Sequence, residues 1–87
     1  MNQPLVHAAL IRVRLFAALA DARGWREREL PLAPDMTVQA VWTAATGEPA
    51  LPARVLCARN MDYCGPDTRV APGDEIAFFP PVTGGAP

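Results

Sequence analysis

The string FFPPVTGG, Phe78 to Gly85, holds the residues of this chain whose types and order most clearly suggest chemistry. Pro80 and Pro81 fix φ in succession and forbid helix, so the chain must leave whatever precedes them along an extended, polyproline-like path. Gly84 and Gly85 have no side chain and fit a channel that any other residue would block. Fully extended, the residues from Pro80 to Gly85 reach roughly 20 Å. The string reads as a probe built to enter another protein's active site. Ala86 and Pro87 follow it.

Other sources of chemistry are scarce. Cys57 and Cys64 are too few and too far apart in sequence for a zinc site, which takes four ligands at characteristic spacings. His7 is the single histidine, so a Ser-His-Asp or Cys-His arrangement would have to use it, and nothing around it suggests an ordered pocket. No metal site is expected, and the chain does not read as a self-sufficient enzyme. The net charge of −1 leaves no basic stripe for a phosphate backbone, so neither nucleic acid nor an anionic membrane is an expected partner. The most apolar stretch, Ala8 to Ala20, is broken by Arg12 and Arg14. It therefore makes neither a membrane span nor a signal-peptide core, and a cytoplasmic location is expected. All eight basic residues are arginine, which reads as a composition bias.

The elements that must aim the tail can be read from periodicity. Residues 1–7 read as a flexible leader, residues 8–79 as one folded domain, and residues 80–87 as an extended tail. Ala8 to Phe16 alternates over its second half, with Leu10, Arg12 and Arg14 on one face and Ile11, Val13 and Leu15 on the other, which predicts a half-buried strand. Ala17 to Arg23 is built of helix formers and stops at Gly24. Trp25 to Leu32 is strand-like but polar, as an edge strand containing Pro31 should be. Asp35 or Thr37 can cap a helix in which Val38, Val41, Trp42 and Ala45 form one apolar stripe, ending at Gly47. Trp42 belongs to that stripe, and Trp25 to core or partner surface.

Arg54 to Arg59 predicts a strand and Asn60-Met61 a two-residue turn, which sets Arg59 against Asp62, Ala58 against Tyr63 and Cys57 against Cys64. That register makes a bond between the two cysteines geometrically open, but in a reducing compartment they read as two small buried thiols with a structural role. Asp67 to Val70 predicts a short turn or helical piece, Pro72-Gly73-Asp74 a turn, and Glu75 to Phe79 the last strand. The order strand, helix, strand, helix, strand, strand, strand indicates an α+β roll: a mixed sheet of about five strands with one main helix packed across it.

PGDEIAFFPPVTGG, Pro72 to Gly85, resembles the C-terminus of the small subunit of molybdopterin synthase, a ubiquitin-like sulfur carrier of the MoaD/ThiS family. The strand entering Leu15-Phe16-Ala17, the Thr37-Val38 helix start and the Ala58-Arg59-Asn60 turn extend that resemblance over residues 10–85. It implies a β-grasp fold and a non-catalytic sulfur-donor role, with the chemistry in a partner's active site. An adenylyltransferase of the ubiquitin-activating kind would use ATP to adenylate Gly85, which would then become a thiocarboxylate. The tail would give its sulfur to cyclic pyranopterin monophosphate in the synthase large subunit, within a 2:2 heterotetramer, for molybdenum cofactor biosynthesis. The chain itself would bind no cofactor. Gly85 would be the reacting residue. Gly84 would give clearance, Pro80, Pro81, Val82 and Thr83 would form the aimed tail, and Phe78 or Phe79 would supply apolar docking surface.

In that family Gly-Gly ends the chain, whereas here Gly85 is in amide linkage to Ala86. A protease cutting between Gly85 and Ala86 is therefore an expected further partner. Two other readings keep the fold and change the role. One is a sulfur carrier for thiamine or cysteine synthesis; the other is a non-catalytic ubiquitin-like interaction module.

Overall fold

The computed structural model describes residues 9–81. The expected leader and the tail positions Val82, Thr83, Gly84, Gly85 and Ala86 lie outside the described residues. Seven elements form in the expected order: β1 (Leu10–Leu15), α1 (Ala17–Arg23), β2 (Glu27–Pro31), α2 (Val38–Thr46), β3 (Leu56–Arg59), β4 (Asp62–Cys64) and β5 (Glu75–Phe79). The strands make one sheet in the order β2-β1-β5-β3-β4. β1 pairs antiparallel with β2 and parallel with β5, and β3 lies antiparallel to both β5 and β4. The last strand is thus the centre of the sheet, which is the β-grasp arrangement.

Alternation decides which face is covered. Ile11, Val13 and Leu15 of β1, Ile76 and Phe78 of β5 and Cys57 of β3 are buried on one side of the sheet. α2 lies on that side with Val38, Val41, Trp42 and Ala45 turned inward. Trp42 meets Phe78 edge-on, with ring centroids 5.0 Å apart. Thr37 caps the helix, its Oγ1 accepting from the Ala40 N–H at 3.1 Å, so Thr37 rather than Asp35 fills that role. The helix closes at Gly47, whose φ of 80° is one a side chain would resist.

The polar edge strand proves more integrated than its composition suggests. Val13 lies opposite Arg28 and Ile11 opposite Leu30, which places Arg28 on the covered face. Its guanidinium donates to the Ala45 carbonyl at 2.9 Å, near the end of α2, and lies 4.2 Å from the Trp25 ring centroid. A cation at a helix C-terminus meets carbonyls that have no partner within the helix. Trp25 accordingly packs against the edge of the core.

Several boundaries differ from expectation: β1 ends at Leu15 and β2 spans Glu27–Pro31, each inside its expected stretch. β3 starts at Leu56, because Arg54 adopts a φ of 77° in the preceding turn and cannot continue a strand. Residues 66–67 make a turn, after which Arg69 forms an isolated bridge with Thr37. Val38 and Gln39 donate their amides to the carbonyls of Thr68 and Pro66, both at 2.9 Å, so this connection closes over the start of α2. Among the described residues no helix is long and apolar enough to cross a membrane.

Candidate functional site

Phe78 and Phe79, either of which the resemblance offers as docking surface, are separated by the pleat of β5. Phe78 faces α2 and is 0% exposed, so it has no surface to offer a partner. Consecutive residues of a strand must take opposite faces, and that expectation is corrected: Phe78 is core. Phe79 is half-buried on the uncovered face. There its ring stacks on Phe16, with centroids 4.7 Å apart and planes 6° from parallel, and meets Tyr63 edge-on at 6.1 Å.

The register explains how distant residues reach this row. Arg14 of β1 pairs with Ala77 of β5, Ala77 with Ala58 of β3, and Ala58 with Tyr63 of β4, so all four share the uncovered face. Phe16 follows β1 directly, and its amide donates to the Phe78 carbonyl at 3.1 Å, extending the β1–β5 pairing past the end of the strand. The result is a groove of about 330 Å³ with alanine on its floor, lined also by Arg14, Phe16, Met61, Tyr63, Glu75 and Phe79. Ala58 and Ala77 are themselves buried, while Met61 and Tyr63 are 88% and 74% exposed. Small residues beneath large ones leave an apolar trough where a flat sheet would otherwise lie. Arg14 gives the trough a polar end, reaching Glu75 at 3.4 Å with its guanidinium carbon 5.1 Å from the Phe16 centroid.

A buried carboxylate holds the hairpin side of the groove in place. Asp74, just before β5, accepts from Arg59 Nε at 2.6 Å, from Asn60 Nδ2 at 2.9 Å and from the Ala71 amide at 2.8 Å. Asn60 in turn exchanges bonds with Glu75: its Oδ1 accepts from the Glu75 amide at 2.9 Å, and its own amide donates to the Glu75 carbonyl at 2.8 Å. Burial pushes the Asp74 carboxyl upward, but the bonds from Arg59, Ala71 and Asn60 and the Arg59 charge outweigh it, holding the group below its ordinary range. The turn at Asn60 and Met61, with φ of 51° and 74°, is thereby pinned to the start of β5. Met61 and Tyr63 are set beside the central strand as a consequence.

Pro80 and Pro81 leave from the end of β5 at the Phe16–Phe79 end of the groove, half-buried and exposed respectively. Any protein seated on the groove would therefore stand next to the root of the tail. Val82, Thr83, Gly84, Gly85 and Ala86 lie outside the described residues. Phe16, Tyr63, Met61, Arg14, Ala58 and Ala77 were not anticipated as a site. Their signal was the expected pairing of Ala58 with Tyr63, which places Tyr63 on a face that no helix was available to cover. Cys57 and Cys64 are free thiols on the α2 side of the sheet, away from the groove. Among the described residues, no three His, Cys, Asp or Glu side chains gather as a metal site would require.

Residues 13–85 match the ThiS family, so the match includes both glycines and ends at Gly85. The chain is 36% identical over 84 residues to small archaeal modifier protein 1 of Haloferax volcanii, covering 83% of this chain and 97% of that protein. A crystal structure of the H. volcanii protein superposes with a TM-score of 0.72 at 28% identity, over 85% of this chain and 99% of the other. A Pyrococcus furiosus protein assigned as molybdopterin converting factor, subunit 1, shares the fold, with a TM-score of 0.67 at 24% identity over 85% and 99% of the two chains.

Proposed function

This chain belongs to the ThiS family of ubiquitin-like sulfur carriers and modifiers, and from that premise we propose that it carries sulfur as a thiocarboxylate on Gly85. The observation that carries the reading is the aromatic groove at the root of a Pro-Pro-to-Gly-Gly tail. The groove supplies binding energy on a rigid sheet, and the tail supplies reach, so a partner holding the groove receives the glycine in a fixed place. Such positioning replaces a bimolecular encounter by an intramolecular one.

The steps follow from carboxylate chemistry. Hydrolysis of the Gly85–Ala86 bond by a partner protease frees the Gly85 carboxylate. That carboxylate is a poor electrophile until an oxygen attacks the α-phosphorus of ATP, releasing pyrophosphate and leaving a mixed anhydride with AMP. A sulfur donor then displaces AMP, and the resulting thiocarboxylate is a nucleophile of thiolate character. The FFPPVTGG string favours the molybdopterin synthase large subunit as recipient, with cyclic pyranopterin monophosphate as the sulfur acceptor and a 2:2 assembly. Thiamine and cysteine synthesis are the other sulfur destinations compatible with the same tail.

A second reading has its own support in the relative from H. volcanii, whose name is that of a modifier. There the same activated Gly85 acyl group would pass to an amine of a target protein. Intact mass of the chain from its native cell tests both readings. Loss of Ala86-Pro87 with replacement of one oxygen by sulfur supports the carrier, and a Gly85-linked branched peptide supports the modifier. A mass that always retains Ala86-Pro87 refutes both. Supplying the thiocarboxylate form to purified large subunit with the pyranopterin substrate then tests the named recipient.

A further inference from the structure

The hairpin carrying Met61 and Tyr63 on one face holds a cysteine pair on the other. Cys57 of β3 and Cys64 of β4 are register partners, two steps from the turn-flanking pair Arg59 and Asp62. In a two-residue hairpin both of these pairs are of the hydrogen-bonded class, for which Cα atoms lie about 5.5 Å apart. Disulfides span about 4.4–6.8 Å between Cα atoms and about 3.5–4.5 Å between Cβ atoms, so the Cα spacing suits closure. The Cβ atoms of such a pair, at the wide end of about 4.5–5.5 Å, must be drawn together, which leaves the bond readily reduced. Both side chains point to the same side, where Cys57 is buried in the core and Cys64, partly buried, packs against it. Phe78 is the partner of Cys57 on the opposite flank. Closure would therefore tie the three-residue edge strand β4, through β3, to the strand that bears the tail.

We propose that Cys57 and Cys64 form a dithiol that closes reversibly to a disulfide, a redox staple on the hairpin that walls the groove. The co-reactant is a small-molecule disulfide of the glutathione class. The Cys64 thiolate, the more accessible of the two, attacks one sulfur of that disulfide; the S–S bond breaks, one thiol leaves, and Cys64 is held in a mixed disulfide. Cys57 then loses its proton to solvent and attacks the Cys64 sulfur, expelling the second thiol. The chain gives up two protons and two electrons, and the small disulfide becomes two thiols. Burial, and next the neighbouring Cys64, push the free Cys57 thiol up to about 11, so Cys57 acts second; bonding Cys64 in the mixed disulfide removes its charge and leaves burial as the remaining cause. The staple stands on the hairpin alone and does not depend on the tail chemistry.

The test uses the full chain incubated with excess oxidised glutathione. The expected product is a monomer two hydrogens lighter, with a Cys57–Cys64 linked peptide on digestion, fully reversed by dithiothreitol. Amide exchange at Asp62–Cys64 should slow in the bridged form, and Cys64→Ser should not lose the two hydrogens. Accumulation of stable glutathione adducts, of disulfide-linked dimers, or of unmodified thiols would overturn the proposal. So would a bridged form whose β4 amides exchange as fast as before.

Discussion

Phe78 and Phe79 are adjacent, chemically identical and placed on opposite faces of β5, so truncating each should injure a different property. Phe78 is fully buried against Trp42, and replacing such a phenylalanine by alanine removes its transfer energy and leaves a cavity, together about 3–5 kcal/mol. A chain of this length has a total stability of about 4–13 kcal/mol at the usual per-residue value. Phe78→Ala should therefore consume a large part of the whole and move the urea midpoint far to the left. Phe79→Ala forfeits the stacking on Phe16 and the edge contact with Tyr63, about 1 kcal/mol. Its larger effect should be on docking, where an anchoring aromatic contributes about 2 kcal/mol, a weakening of roughly 30-fold. Urea titration followed by tryptophan fluorescence, with calorimetric binding to the activating enzyme, separates the two. The reasoning fails if Phe79→Ala destabilises as much as Phe78→Ala, or if it leaves the affinity unchanged.

The remaining predictions concern the groove's supports and the tail. Asp74→Ala leaves the Asn60 amide, the Ala71 N–H and Arg59 without their acceptor, and should lower stability by about 3 kcal/mol in chemical denaturation. Because the Asp74 carboxyl is held below its ordinary range in the fold, its contribution is complete above the unfolded carboxylate value of about 3.9 and is lost as pH falls through the lower folded value. Urea midpoints measured down to about pH 2 should consequently fall less steeply in Asp74→Asn than in the parent. Thr37→Ala removes the cap on Ala40 and should cost about 1 kcal/mol by the same titration. In the chain trimmed to end at Gly85, deleting Gly84 and Gly85 should abolish adenylate formation, read as pyrophosphate release with the activating enzyme, while the melting temperature stays where it was.

Most of the fold was legible because its signals are local. The alternation of Ile11, Val13 and Leu15, the stripe from Val38 to Ala45 and the glycines at 24 and 47 each mark an element without help from the rest. The hairpin register followed from counting outward from Asn60-Met61, and it gave the Cys57–Cys64 pairing correctly. The groove was less legible because it depends on which strands become neighbours. Arg14, Ala77, Ala58 and Tyr63 form one row only once β5 is known to enter between β1 and β3. The partners of Arg28 were illegible for a related reason: the Ala45 carbonyl and the Trp25 ring reach it only once α2 packs beside β2. Phe78 was misassigned because a tail motif was read as a continuous string, whereas the pleat divides it.

The central position of β5 also has a mechanical meaning. A partner that draws on the tail pulls at Pro80, and the load passes directly into a strand flanked by β1 on one side and β3 on the other. A pull along that strand shears both ladders at once, so their bonds share the force instead of parting one at a time as they would in a peeled edge strand. The tail is therefore anchored at the stiffest line of the sheet, and tension applied to it should reach the whole domain before it frays any single element.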